Sequence, residues 1–292
     1  MRKSVFILLL ILITIQFHIP STAHAEQEMP VMKVHFINVG QGDSILIETP
    51  LDRTILIDGG PPEAGDALVN YIKERRINEI DLMIATHPDV DHIGGLVKVL
   101  DEIDVGGVLD IGKLHPTKTF AAYMNRIRDL QIPLTIAEKD TPIEIDPMIS
   151  LDIWNAAQSL TSPNASSLVL KLNYEETDML FMGDVGKKEE KEIQKKHDVD
   201  AELIKIGHHG SNTSTGMSFL EAVDPEIAIL TYSKDNNYGH PVPRVIEHLY
   251  EINALIYSTA ALDSITVETD GETLIVNPRM NPIQKFVEEQ AV

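Results

Sequence analysis

The residues best equipped for chemistry lie together in residues 86–95, which read THPDVDHIGG. His87, Asp89, Asp91 and His92 set two imidazoles and two carboxylates within six consecutive positions. Nitrogen and oxygen donors crowded in this way suit divalent cations. A solvated acidic loop is the plain alternative, but the run has partners later in the chain. Gly183-Asp184 ends an apolar run, and Gly207-His208-His209-Gly210-Ser211 follows another. By itself Gly-Asp is only a turn signal, yet a carboxylate at a strand end, behind a glycine that admits close approach, can bridge two ions. Tandem histidines beside glycine suit metal or phosphate chemistry. Asn237-Tyr238-Gly239-His240-Pro241 adds another imidazole, either a contact for a phosphate or leaving group or a structural loop histidine.

These side chains need rigid elements to aim them. The apolar run 80–85 reads as one buried strand, and Gly94-Gly95 lets the backbone turn closely into a helix from near Leu96. Short strands are expected at 33–38, 44–48 and 54–58, and a helix at 64–76. Further on, strands at 105–111 and 134–137 alternate with helices at 96–103 and 120–130, which signals βαβ units. Residues 141–174 are strand-rich, with strands at 148–154 and 167–173. The strands 179–182, 203–206 and 227–231 then alternate with helices at 187–197, 215–223 and 243–252. Strands at 254–257, 264–268 and 273–276 complete an α/β pattern. Gln41 and Asp43 lie either near the site or merely in a tight turn. His115 and His197 read as surface residues.

Composition narrows the chemistry. The chain has 292 residues, 43% of them hydrophobic, enough for a sizeable core in a single α/β domain. A formal net charge of -21 repels polyanions unless a local basic patch or bound metal overrides it. The absence of cysteine excludes a disulfide scaffold, a thiol nucleophile, a thiolate-bound zinc and a lipobox-type anchor. Residues 1–25 read as an export signal: Arg2 and Lys3, an apolar run 5–17, Pro20, then Ala23-His24-Ala25 before Glu26. A retained membrane anchor is the alternative, for which the run is short. The expected division is 1–25 signal peptide, 26–31 linker, 32–280 α/β domain and 281–292 polar tail. A secreted protein without a stable membrane span after processing follows.

The spacing H-x-D-x-D-H resembles the H-x-H-x-D-H signature of the metallo-β-lactamase fold. With Asp in the second place it resembles a subset that includes the extracellular nuclease-like domain of ComEC-type competence proteins and phosphorylcholine esterases. The phrases FINVGQGDSILI, ILIDGG, NASSLVL, GHHGSNTS and NYGHP carry the resemblance over residues 32–277. It implies a four-layer αββα sandwich and a binuclear hydrolase with two divalent metal ions, Zn or Mn. It implies that His87 and Asp89 hold one ion, that Asp91, His92 and His209 hold the other, and that Asp184 bridges them. Asp58 is implied beneath the site as an acid that orients ligands.

In the same resemblance a hydroxide between the cations is the nucleophile. Asp91 also steers its proton, while His208 and His240 bind phosphate oxygens or protonate the leaving group, with Lys205 as a further donor. The substrate implied is a phosphoester, foremost a phosphodiester, with single-stranded DNA as the polymer to expect. The chain departs from the family where most members carry a third metal-binding histidine, since Ser162-Pro163-Asn164-Ala165-Ser166-Ser167 stands there. Water, or oxygen from Asn164, Ser166 or Ser167, must complete that site, and fewer nitrogen ligands let Mn²⁺ compete with Zn²⁺. Two other functions fit the same fold: a carboxyl-ester or lactone hydrolase using the same hydroxide, and a non-catalytic binding module, which predicts lost ligands.

Overall fold

The segment Ile45–Glu48 reads ILIE, and Ile45, Leu46 and Ile47 are all buried although consecutive strand residues face opposite sides. A strand apolar on both faces needs a layer on each side of it. The computed structural model, which describes residues 29–156 and 162–280, has that arrangement. The expected export signal and polar tail lie outside the described residues.

Two sheets stack face to face. In order across the first are Leu274–Pro278, Ile265–Thr269, Met32–Phe36, Ile45–Glu48, Thr54–Ile57, Leu82–Ala85, Val108–Asp110 and Leu134–Ile136. Across the second are Leu255–Ser258, Ile227–Leu230, Leu203–Lys205, Thr177–Phe181, Val169–Tyr174, Ser150–Asn155 and Thr141–Pro142. Between them Ile45, Ile47, Ile55 and Ile57 meet Leu170, Leu172, Met179 and Phe181. On the outer face of the first sheet, Leu46, Leu56 and Met83 pack with Leu68, Ile72, Leu96 and Tyr123 from the helices Gly65–Glu74, Leu96–Glu102 and Lys118–Asp129. On the outer face of the second, Leu180, Ile204 and Ala228 pack with Ile193, Leu220 and Leu249 from Lys187–Gln194, Met217–Val223 and Pro243–Glu251. The fold is the expected four-layer αββα sandwich.

Thr54–Ile57, Leu82–Ala85, Val108–Asp110 and Leu134–Ile136 run parallel, as do Thr177–Phe181, Leu203–Lys205, Ile227–Leu230 and Leu255–Ser258. The C-terminal ends of parallel strands share one edge of their sheet, where open α/β folds gather their functional loops. Asp58, Thr86-His87, Gly183-Asp184, Gly207–Gly210 and Thr231 all follow such ends.

Three local expectations change. Neither 80–85 nor 105–111 is one strand: Glu79–Ile80 pairs with Asp104–Val105 in a small separate sheet, and only Leu82–Ala85 and Val108–Asp110 join the large one. Asp81 divides Glu79–Ile80 from Leu82–Ala85, its carboxylate accepting from the Thr54 N–H at 2.8 Å and from Arg53 at 2.8 Å. Residues 163–166, which the sequence leaves unassigned between two expected strands, form the one-turn helix Pro163–Ser166, with proline at its start and Ser162 as N-cap. His197 is not a free surface residue: its ring stacks on Trp154 at 4.6 Å between centroids and its Nε2 lies 3.2 Å from Asp140. The indole on the outer face of the second sheet needs an apolar cover, and the histidine supplies one. Among the described residues no helix is long and apolar enough to cross a membrane.

Candidate metal centre

Leaving the strand Leu82–Ala85, Thr86 donates its backbone N–H to Oδ1 of Asp58 at 2.8 Å and its hydroxyl to Oδ2 at 2.6 Å. With its proton committed there, the Thr86 oxygen accepts from Nδ1 of His87 at 3.1 Å. Asp89 then starts the short helix Val90–Ile93, which carries Asp91 and His92. Nδ1 of His92 donates to Oδ2 of Asp58 at 2.7 Å. One buried carboxylate therefore fixes two imidazoles, each with Nδ1 protonated and Nε2 turned away. Gly95 serves this packing differently from the sequence expectation. Its backbone is ordinary helix (φ -71°), but a Cβ there would lie 2.0 Å from the carbonyl oxygen of Gly59. Close approach, rather than a special turn, demands the glycine.

The second sheet supplies the opposing wall. Asp184 follows Gly183, and its N–H donates to the Ser167 hydroxyl at 3.2 Å. His208 (φ 50°, ψ 46°) and His209 (φ 54°, ψ 22°) are both left-handed, a conformation that costs about 1–2 kcal/mol per L-residue. The strain parts the two rings. His209 is buried, its Nδ1 donating to the carbonyl of Thr231 at 2.9 Å and lying 3.3 Å from Asp43. His208 stands partly exposed, with Nδ1 3.1 Å from the Thr213 hydroxyl and Nε2 3.1 Å from the Asn164 amide nitrogen.

The two walls converge on Asp184. Its Oδ1 lies 3.4 Å from Nε2 of His92, and its Oδ2 lies 3.9, 3.7 and 3.6 Å from Nε2 of His87, His209 and His208. Asp89 approaches His87 at 3.7 Å and Asp91 approaches His209 at 3.5 Å. Nε2 of His87, His92 and His209, and Oδ1 of Asp184, are buried without a hydrogen-bond partner. Buried polar atoms are rarely left so, and four aimed at one point call for a shared ligand. The groups His87–His92–Asp184 and Asp91–His92–His209 each offer atoms within 4.8 Å of one another. This set of nitrogen and oxygen donors fits divalent cations.

Charges in the metal-free chain agree. Burial pushes Asp184 up, but the charges of His92 and His209 outweigh it and hold the carboxyl well below its usual range. Burial pulls His92 and His209 down, yet Asp184 with Asp58 raises His92 well above an ordinary histidine, and Asp184 with Asp43 takes His209 to about 9. Burial lowers His208, helped by the charges of His209 and His92 against Asp184. Burial and the neighbouring His208 and His209 lower His240. The rim pair is therefore neutral where the floor pair is cationic.

His240 stands at this rim, its ring 5.5 Å from that of His208 and 6.5 Å from that of His209. The expected site residues thus come together, but Lys205 does not serve as expected. It is fully buried, pairs with Oδ2 of Asp43 at 2.8 Å and donates to the carbonyl of Ile206 at 2.8 Å, so it cannot reach a phosphate. A strand residue ahead of the GHHG turn points beneath the site. Of the three oxygen candidates, Asn164 reaches the site, Ser167 faces the Asp184 backbone, and Ser166 donates back to Pro163 at 2.6 Å. His115 is not a free surface residue, since its Nε2 lies 3.7 Å from Asp89. The fold, which sequence distance hides, brings the loop 111–117 to Asp89.

Two clamps escaped the sequence reading. Buried Glu190 accepts from the N–H groups of Thr215 and Gly216, and Arg244 donates to the carbonyls of Ser214 at 2.6 Å and Thr215 at 2.8 Å. Together they hold the loop after His208-His209. Glu190, inside the charged helix Lys187–Gln194, gives no sequence signal that separates it from its solvated neighbours.

The metallo-beta-lactamase superfamily profile matches residues 37–233. ComE operon protein 3 of Bacillus subtilis (strain 168) is 28% identical over 236 residues, 74% of this chain and 30% of that protein. Competence protein ComA of Neisseria gonorrhoeae is 26% identical over 211 residues, 71% of this chain and 28% of that protein. The chain thus spans under a third of the length of these relatives. Among solved structures, CmlA, a diiron beta-hydroxylase from Streptomyces venezuelae, aligns with a TM-score of 0.56 at 12% identity, covering 82% of this chain and 54% of CmlA. Igni18, a metallo hydrolase from Ignicoccus hospitalis, aligns at 0.53 and 16% identity, covering 80% of this chain and 98% of its own. These likenesses carry the fold, and the profile match spans more than half of the sequence: the chain belongs to the metallo-beta-lactamase superfamily.

Proposed function

We propose that this chain is a metal-dependent phosphoester hydrolase that acts on phosphodiesters, single-stranded DNA among them, with two divalent cations, zinc or manganese. One observation carries the reading: three buried imidazoles, each held at Nδ1, direct unpartnered Nε2 atoms at the buried carboxylate of Asp184. In this reading His87 and Asp89 would hold one cation, Asp91, His92 and His209 would hold the other, and Asp184 would serve both. When bound, such cations bring the pKa of water toward neutrality and offset charge developing on a phosphoryl oxygen.

The chain's own residues do the rest. Asp58 and the Thr231 carbonyl fix the ligand rings. Asp91, ionised and partly exposed, takes up the nucleophile's proton. Neutral His208 and His240 at the rim offer a hydrogen bond to a phosphoryl oxygen or, after taking up a proton from solvent, a proton to the leaving oxygen. The competence proteins to which the chain is similar direct the choice of polymer to DNA. The acidic shell keeps the grip on long polymers weak, so short diesters turn over better than duplex. Export with cleavage after Ala25, a linker at 26–31, a hydrolase domain at 32–280 and a tail at 281–292 belong to the same proposal.

The test is Zn²⁺- or Mn²⁺-loaded protein with bis(p-nitrophenyl) phosphate, oligonucleotides and a homoserine lactone. Diester turnover that is lost on chelation and restored by the metal is expected. Lactone cleavage with no diester turnover under either metal overturns the reading, and metal binding with no turnover of any substrate favours a binding module.

A further inference from the structure

We infer that Tyr238 is a stacking platform for one nucleobase beside the reacting phosphate, an inference that rests on the phosphodiesterase reading. Tyr238 leaves 69% of its surface exposed. A lone exposed aromatic is ordinary on a protein surface; this one is set apart by its alignment and by the cleft it borders. Its ring stacks on His240 at 5.7 Å between centroids and 24° between planes. His240 in turn lies 6.5 Å and 30° from His209. The three rings form a file from the buried centre out to solvent.

The file ends on a braced loop. Oδ1 of Asn236 accepts from the N–H groups of Tyr238 at 3.1 Å and His240 at 3.0 Å. Its Nδ2 donates to the carbonyls of Ser233 and His240, both at 2.7 Å. One asparagine thus ties both ends of the turn, so the tyrosine is presented already positioned. The N–H of Ser233 donates to Oε1 of Gln41 at 3.2 Å, joining this loop to the one that leads into Asp43.

Between those loops lies a cleft of about 290 Å³, bordered by Tyr238, Asn237, Gln41, Glu63 and Asp235. Nothing stands within 4 Å of where a Cβ on Gly40 or Gly239 would project, so both loop tips leave space. The volume is at the lower limit of small-molecule pockets and suits one planar group, not a string of nucleotides. Tyr238 offers a π-face, while the amides of Asn237 and Gln41 suit a base edge. Glu63 and Asp235 repel a further phosphate. Together these features select an uncharged heterocycle attached to a phosphoester held at the centre. A base can reach this position only when unstacked, which favours single strands over duplex.

The experiment compares kcat/KM of metal-loaded protein on an oligonucleotide carrying a base, or an abasic residue, next to the cleaved phosphate. Wild type, Tyr238→Phe and Tyr238→Ala are measured, with bis(p-nitrophenyl) phosphate as a control for phosphodiesterase chemistry. Base–aromatic stacking yields roughly 5- to 150-fold per base. Wild type and Tyr238→Phe are expected to prefer the base within that range, chiefly through KM, and Tyr238→Ala to lose the preference. Diester turnover with no base preference in wild type, or with the preference intact in Tyr238→Ala, overturns the stacking role alone. No diester turnover at all overturns the phosphodiesterase reading instead. Tyrosine-labelled NMR then decides the contact without catalysis. Thymidine 5′-monophosphate should shift the Tyr238 ring signals and deoxyribose 5-phosphate should not; equal or absent shifts overturn the platform.

Discussion

Nζ of Lys205 and Oδ2 of Asp43 meet at 2.8 Å in a buried ion pair directly behind His209. Asp43 turns its other oxygen to Nδ1 of His209 at 3.3 Å and to the Thr231 hydroxyl. Burial pushes this carboxyl up, but the charges of Lys205 and His209 outweigh it and hold Asp43 far below the usual range. The pair links the first sheet's loop to the second sheet's strand beneath the centre.

Removing Lys205 leaves buried Asp43 with His209 as its remaining ion-pair partner, and breaking a buried pair costs about 3–5 kcal/mol. Lys205→Met should therefore lose about that much stability in urea unfolding of the metal-free protein. Asp43→Asn combined with Lys205→Met should recover a large part of it. An unchanged midpoint in Lys205→Met would show that the pair carries no net stability.

Asp184→Asn should bind at least one cation fewer and lose most activity while remaining folded, because a neutral amide cannot offset two adjacent cations. His92→Ala should also lose metal. His208→Ala should keep its full metal content and turn over about 10²–10⁴-fold more slowly, the range for a lost proton donor or acceptor. Mass-spectrometric metal counting on each variant is the check. Loss of an ion from His208→Ala but not from His209→Ala would reverse the roles given to these neighbours.

Asp58 touches no proposed substrate position, yet it fixes His92 directly and His87 through Thr86. Asp58→Asn should weaken metal affinity about 10- to 100-fold, as loss of a ligand-orienting partner commonly does. A chelator competition titration measures this. Wild-type affinity in the variant would mean that packing alone orients the two rings.

The metal-free protein should depend on pH in a way the loaded protein does not. The folded pKa of His209, about 9, stands above its ordinary value of 6.5. A raised folded pKa gives stability that is fully present below pH 6.5 and lost as pH rises through about 9. Metal-free protein should thus unfold at lower urea concentration at pH 9.5 than at pH 6.5. Cations compete with protons for Nε2, so metal binding should tighten and release protons over the same interval. Calorimetry in buffers of different ionisation enthalpy counts those protons; zero release contradicts the charged state assigned to His92 and His209.

The loop behind the tandem histidines should loosen when its clamp is cut. Glu190→Ala removes a buried carboxylate that accepts from Thr215 and Gly216, and hydrogen bonds to charged groups contribute about 1.5–3 kcal/mol. Hydrogen exchange at Ser214, Thr215 and Gly216 should accelerate by about tenfold or more while the strand Ile227–Leu230 stays protected. Uniform acceleration across both would indicate global destabilisation instead.

The sequence by itself determined the kinds of donor and their order. His87, Asp89, Asp91, His92, Asp184 and His209 were legible because each stands beside glycine or in a polar run that interrupts an apolar strand. Such interruptions at strand ends are visible one residue at a time. The αββα layering followed from resemblance, since periodicity gives strands and helices but not how sheets stack. Only the tertiary structure decided which atoms of those side chains are free. Nε2 of His87 is bare because Asp58, 29 positions earlier, takes the proton of Thr86 and leaves its oxygen to accept from Nδ1. The same distance effect moved Lys205 from the expected substrate cleft to a buried pair with Asp43, brought His115 to Asp89, and set Glu190 under the histidine loop. Residue type fixes what a group can donate or accept. Whether that capacity is already spent depends on partners brought close by two sheets packing together, and nothing local in the chain records them.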